Sequence, residues 1–217
     1  LGKPAIAGGT PAFDRWLVFG RPVLGDEEIE AVADVIRSGW IGTGERALEF
    51  EQAFAEKIGA AHAISVSSCT AALHVSLEAL GIGPGDEVIT TAMTFVATVN
   101  AIMHAGATPV LVDVDPLTLN LDLDDVRRRI GPRTRALLPV HFGGLPVDLT
   151  ELRALAGEHG LVVLEDAAHA LGARFAGAPI GAGGTAVCFS FYPNKAITTG
   201  EGGMVTTDDA KLAELLR

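Results

Sequence analysis

Four short segments carry side chains that could do chemistry together. The first is Ser67-Ser68-Cys69-Thr70-Ala71-Ala72-Leu73, which follows an apolar run and opens a stretch of helical spacing. A helix start offers unpaired backbone N–H groups and a positive dipole end, which suits a phosphate. Ordinary capping by Ser or Thr explains the same residues. The second is Leu164-Glu165-Asp166-Ala167-Ala168-His169, an apolar run ending in two carboxylates. A buried carboxylate needs a partner, such as a protonated ring nitrogen, a metal or an arginine. The bland alternative is a helix cap beside a satisfied core histidine. The third is Ser190-Phe191-Tyr192-Pro193-Asn194-Lys195, followed by Thr198-Thr199-Gly200-Glu201-Gly202-Gly203. A loop lysine is ordinarily a solvated charge. Between an apolar strand and a glycine-rich turn it can be partly buried, and desolvation then makes it a usable nucleophile and base. The fourth is Thr94-Phe95-Val96-Ala97-Thr98, whose aromatic ring could stack on a flat ligand or pack in the core.

These segments need a frame that brings them to one place. Short apolar runs at 63–66, 87–90, 109–114, 136–140 and 161–165 alternate with helix-like stretches at 70–80, 95–104, 123–130 and 149–159. That rhythm predicts an α/β fold: three α/β/α layers around a mainly parallel, mixed sheet. Ligands of such sheets bind at the carboxyl ends of the strands, where all four segments fall. Further strands are expected over 185–191 and 203–207, and a short hairpin over 174–180. Upstream, 26–37 shows helical spacing with Ile29, Val32, Ala33 and Ile36 on one face, and Ser38-Gly39 ends it. A second helix follows the Gly39–Gly44 loop, with Leu48, Phe54 and Ile58 on its apolar face. Residues 1–24 read as an arm and 25–217 as one large domain. Leu1 in place of Met, and a helical pattern running to Arg217, read as a fragment.

The 217 residues carry 16 basic against 27 acidic side chains, a formal charge of -11. An acidic surface disfavours nucleic acid and anionic membranes as partners. With 48% hydrophobic residues the chain can build a sizeable core, yet no apolar run reaches the roughly 18 residues that span a membrane. Cys69 and Cys188 have no paired spacing, which predicts reduced thiols in a cytoplasmic protein. No second ligand cluster has the spacing of a metal site. Gly181-Ala182-Gly183-Gly184 lacks the strand-to-helix context of a dinucleotide loop, and no Walker-type loop exists. His141-Phe142-Gly143-Gly144 reads as a turn at the same sheet edge.

Together the four segments supply a phosphate seat, a stacking ring, a carboxylate for a ring nitrogen and a lysine, the set that pyridoxal 5'-phosphate (PLP) requires. The ordered motifs SSCTAALH (67–74), GPGDEVI (83–89), TFVATVNAI (94–102), PVLVDVDP (109–116), LPVHFGG (138–144), EDAAHALGA (165–173) and SFYPNKAITTGEGGM (190–204) resemble the DegT/StrS-type sugar aminotransferases of the aspartate aminotransferase fold group. The resemblance runs from about Gly25 to Asp209. It implies that Lys195 forms a Schiff base with PLP and that Asp166 pairs with the pyridine nitrogen. It places Phe95 against the ring and His169 near the phenolic oxygen. The amides of Cys69 and Thr70, with the Ser190 hydroxyl, would hold the phosphate. The Trp40–Gly44 loop would reach an active site, with a dimer partner supplying further groups. Position 69 is usually Gly in the family and 92 often Pro; here they are Cys and Ala. The family's C-terminal small domain is missing from these residues.

The implied activity is transfer of an amino group from an amino acid, glutamate by resemblance, to a keto group of a nucleotide-linked deoxysugar, by a cytoplasmic homodimer. Three alternatives stay open: a PLP-dependent dehydratase relative, an aminohydroxybenzoate-synthase-like enzyme, and a non-catalytic PLP-binding or regulatory member. The dehydratases carry His where this sequence has Lys195, which argues against the first.

Overall fold

A computed structural model describes residues 2–15, 17–18 and 20–217. The elements run α1 (Asp26–Ser38), α2 (Glu45–Ile58), β1 (His62–Val66), α3 (Cys69–Ala79), β2 (Glu87–Thr91), α4 (Val96–His104), β3 (Thr108–Val112), α5 (Leu123–Arg129), β4 (Thr134–Leu137), α6 (Leu149–His159), β5 (Val162–Asp166), β6 (Arg174–Phe175), β7 (Ala178–Pro179), β8 (Ala186–Ser190), β9 (Gly203–Thr207) and α7 (Ala210–Leu215). Apolar runs bounded by turn residues became strands, and the stretches of helical spacing became helices. β6 and β7 form the short hairpin. One expected strand is cut short. The regular strand stops after Leu137, because Pro139 has no N–H to give to the ladder, and pairing resumes only as a single parallel bridge, Val140↔Asp166.

Seven strands form one sheet in the order β1-β9-β8-β5-β4-β2-β3. β9 is antiparallel to both β1 and β8, and the other pairings are parallel. The carboxyl ends of six strands and the amino end of β9 therefore share one edge. Successive strand residues face opposite ways, and the two faces carry separate cores. On one face Val163, Val187 and Phe189 pack with Phe54 and Ile58 of α2 and Leu152 and Leu155 of α6. On the other, Leu164, Cys188 and Val205 pack with Leu73 and Leu77 of α3, Ile102 of α4 and Leu212 of α7. The first core includes an edge-to-face aromatic group in which Phe191 lies 5.2 Å from Phe50 and 5.5 Å from Phe54.

Two of the apolar faces read from spacing are left partly or wholly uncovered. α1 forms as expected and ends at Gly39 in the left-handed region, φ 74°. Its apolar face is open: Ile29, Val32 and Ile36 are each at least 60% exposed. The helix is held by its own ends, with the Gly25 N–H donating to the Glu28 carboxylate at 2.6 Å and acidic residues in its first turn. Leu48 of α2 is likewise exposed. Periodicity reports a stripe, not what covers it. Of the expected arm, Leu1, Trp16 and Phe19 lie outside the described residues. The described residues of 2–24 are exposed apart from half-buried Gly9. Among the described residues no helix is long and apolar enough to cross a membrane.

Candidate active site

The turn from β1 into α3 builds the first part of the site. Ser68 is extended and caps α3, its Oγ accepting the Ala71 N–H at 3.1 Å. Its carbonyl accepts the Ala72 N–H at 2.9 Å. The first-turn amides of Cys69 and Thr70 lie ahead of these bonds, at the positive end of the helix. The Cys69 side chain turns inward instead. It is buried, with Sγ 3.7 Å from the Cys188 carbonyl oxygen. Burial, then the nearby Asp166 charge, holds its thiol pKa well above the ordinary value. Cys69 therefore acts as a small core group, and what it offers outward is backbone. Gly203 opens β9 directly beside this turn. A Cβ there would stand 2.5 Å from the Ser68 carbonyl carbon and 2.7 Å from the Cys69 nitrogen.

The end of β5 supplies two carboxylates, both buried: Glu165 is 1% and Asp166 5% exposed. Asp166 Oδ2 accepts a bond from the Thr98 hydroxyl at 2.7 Å, and Oδ1 accepts the Ala168 N–H at 3.1 Å. Thr98 in turn shares a 2.5 Å contact with the Thr94 hydroxyl. These two donors fix the orientation of the carboxylate. Glu165 turns to the other face, where Arg153 and His141 meet it at 3.0 Å each.

The loop from β8 to β9 carries the lysine. Phe191 donates its N–H to the Gly202 carbonyl at 2.9 Å, closing the loop base. Its own carbonyl accepts the Thr199 N–H at 3.1 Å and the Thr198 hydroxyl at 2.8 Å. Lys195 donates its N–H to the Tyr192 carbonyl at 2.9 Å. Ser190, Lys195 and His169 line one cavity of about 300 Å³ with Gly143, Ala168, Leu171, Asn194 and Ala196. Half-burial lowers the Lys195 pKa, against the raising influence of Cys69 and Asp166. The exposed His169 is lowered first by partial desolvation and next by the Lys195 ammonium, with Asp166 opposing. Lys195 thus lies within electrostatic range of both Asp166 and His169.

Of the residues expected from sequence, Lys195, Ser190 and His169 meet around the cavity, with Asp166 and Cys69 within electrostatic reach of Lys195. Thr70 sits half-buried in the first turn of α3. Phe95 stands at the same edge as the N-cap of α4. It is 76% exposed, which overturns core packing for it. The Trp40–Gly44 loop folds on itself, Trp40 donating its Nε1–H to the Thr43 carbonyl at 3.0 Å. Three neighbours were not read from sequence. Thr98 lay inside the quoted TFVAT segment without a role, and His141 was read as part of a turn. Gly20, at φ +64°, lies so close to Asn194 that a Cβ would stand 2.7 Å from the Asn194 Cβ.

A larger cavity of about 400 Å³ lies elsewhere, lined by Asp115, Asp122, Asp124, Asp148 and Glu151 among others. Among the described residues no group of three or more His, Cys, Asp or Glu is placed to hold a metal ion. The donors at the sheet edge suit an organic anion instead: two amides and a hydroxyl for a phosphate, a carboxylate for a ring cation and an amine for an aldehyde.

Comparison with known proteins gives the same direction. A sequence profile of the DegT/DnrJ/EryC1/StrS aminotransferase family matches residues 22–217. The spore coat polysaccharide biosynthesis protein SpsC of Bacillus subtilis (strain 168) is 50% identical over 204 residues, covering 94% of this chain and 52% of SpsC. DesV of S. venezuelae is 47% identical with a TM-score of 0.86, covering 88% of this chain and 52% of DesV. DesI, solved in the presence of its TDP-sugar product, is 42% identical with a TM-score of 0.92, covering 98% of this chain and 55% of DesI. The chain spans about half the length of these relatives.

Proposed function

Because the chain belongs to the DegT/DnrJ/EryC1/StrS aminotransferase family, we propose that it carries the cofactor-binding half of a PLP-dependent sugar aminotransferase, with Lys195 as the covalent anchor. The observation that carries this reading is the convergence of Lys195, Asp166 and the Cys69–Thr70 amides at one edge of the sheet. The cofactor supplies an aldehyde for the amine and a conjugated ring that accepts electrons.

The protein's own groups would do the rest. The N–H groups of Cys69 and Thr70 and the Ser190 hydroxyl donate to phosphate oxygens. Asp166, held by Thr98 and Ala168, accepts a proton-bearing ring nitrogen. Phe95 would cover one ring face, and His169 would lie near the phenolic oxygen. The Lys195 Nζ, with its lowered pKa, would be the group that moves a proton between the substrate α-carbon and the cofactor. An amino acid, glutamate in this reading, gives the amino group. A keto group on a nucleotide-linked deoxysugar receives it, the sugar class being suggested by DesI and its TDP-sugar product.

The reading includes a homodimer in the cytoplasm. The exposed Trp40 and the α1 stripe favour a subunit partner, and the free, buried Cys69 and Cys188 suit a reducing compartment. The test is covalent. Full-length protein incubated with PLP should show a visible band that borohydride bleaches, leaving the cofactor's mass on Lys195. Lys195→Ala should lose the label and turnover. A label on another lysine, or full transamination by Lys195→Ala, would refute the reading.

A further inference from the structure

Glu165 and Asp166 are consecutive in β5, so their side chains leave opposite faces of the sheet. Asp166 meets Thr98 of α4, and Glu165 meets Arg153 of α6. Glu165 and the His141 ring are essentially fully buried. A buried ionic group adds little stability over apolar residues of the same volume, so stability alone does not account for this one. Its connectivity does. His141 donates its main-chain N–H to the Asp166 carbonyl at 3.0 Å, and Asp166 donates its own to the Pro139 carbonyl at 2.9 Å. The imidazole of the same His141 places Nε2 3.0 Å from Glu165 Oε2. Residues 139–141 and 165–166 are tied by a closed ring of main-chain and side-chain bonds.

The imidazole also has a defined tautomer. Its Nδ1 accepts the Val147 N–H at 3.2 Å, so the ring proton lies on Nε2 and is donated to Glu165. The Val147 bond fixes the far end of a loop that contains Gly143 and Gly144. Gly143 lines the cavity with Lys195. Gly144 is close enough to the His169 carbonyl that a Cβ would stand 2.9 Å from its oxygen.

We propose that Arg153, Glu165 and His141 form a positioning unit that fixes the rotation of the β5 end carrying Asp166, and with it the loop wall facing Lys195. The proposal rests on the cofactor reading above. Asn can replace the Nδ1 acceptor of histidine and Gln the Nε2 donor. In full-length PLP-loaded protein, His141→Asn should keep the Val147 bond and lose the Glu165 bond. We expect kcat to fall about 10- to 100-fold, the consequence of misplacing a reacting group by up to an ångström, with the amino-donor KM little changed and the pH response of the visible band displaced. His141→Gln should recover most of kcat. NMR of isotope-labelled histidine in cofactor-free protein should show His141 as the Nε2–H tautomer. An Nδ1–H tautomer, a His141→Asn variant with wild-type kcat and band, or two variants losing activity only in proportion to their melted fraction would each overturn the proposal. Failure of the cofactor reading shows separately, as wild-type protein that borohydride cannot label on Lys195.

Discussion

Gly203→Ala is a one-carbon test of the phosphate seat. The new Cβ would stand 2.5 Å from the Ser68 carbonyl carbon, 2.6 Å from its oxygen and 2.7 Å from the Cys69 nitrogen, where unstrained contact needs about 3.5–4.0 Å. All three are backbone atoms, so no rotamer change relieves the clash. β9 is paired on both sides, to β1 through Val66↔Gly203 and to β8 through Ser190↔Gly203, and cannot slide away. The start of α3 must therefore move by about 1 Å, which carries the Cys69 and Thr70 amides out of the range near 2.9 Å where an N–H···O bond is strong. Losing one hydrogen bond to a charged group removes about 1.5–3 kcal/mol, so PLP should be held about 10- to 100-fold more weakly. Overpacking adds a stability loss of about 1–3 kcal/mol. Fluorescence titration of PLP and thermal melting read the two effects. Gly157→Ala is the control, since a Cβ there meets nothing within 4 Å. A Gly203→Ala protein that melts with wild type and binds PLP equally well would refute the reasoning.

Thr98→Val keeps the shape of the buried Thr98 side chain and removes its 2.7 Å bond to Asp166. The buried carboxylate loses one of its two donors, so cofactor-free protein should lose about 1–3 kcal/mol in urea unfolding at neutral pH; an unchanged midpoint would discount the Thr98 contact. The lowered pKa of Lys195 has a stability consequence of definite sign. Between its folded value and the ordinary 10.5 the unfolded chain binds more protons, so this group makes stability rise with pH through that window. Lys195→Met in cofactor-free protein should remove that rise. A difference in melting temperature between wild type and variant that stays flat with pH would contradict it.

The frame was legible because the strands of a buried, mostly parallel sheet are continuous apolar runs, and several of them end at or just before a serine or a carboxylate, as β1, β3, β5 and β8 do. Lys195 and Asp166 were legible as members of an ordered set placed at those ends. What sequence could not show is direction. Cys69 stood out only as a departure from the family's usual Gly; the structure shows its side chain entering the core and leaving the amides outward. Thr98 looked like one more small helix residue, because its bond to Asp166 joins residues far apart in the chain. His141 sits among glycines, which hid a ring with no exposure. α1 showed the complementary failure: its stripe was read correctly, but the surface it faces lies outside any local pattern.

The placement of β9 sets a timetable for synthesis. β1 is complete by Val66, yet among the sheet's strands its partner is β9, and more than half of the chain lies between them. On the ribosome β1 must wait as an unpaired edge, the kind of segment that recruits foreign strands and calls for chaperone cover. Closing that pairing is a long-range, slow step. It is also the step that sets Gly203 beside Ser68 and brings the lysine loop up to α3. A nascent chain therefore cannot assemble this edge piecemeal; the first-turn amides of α3 and Lys195 come together only when β9, the last strand of the sheet, inserts.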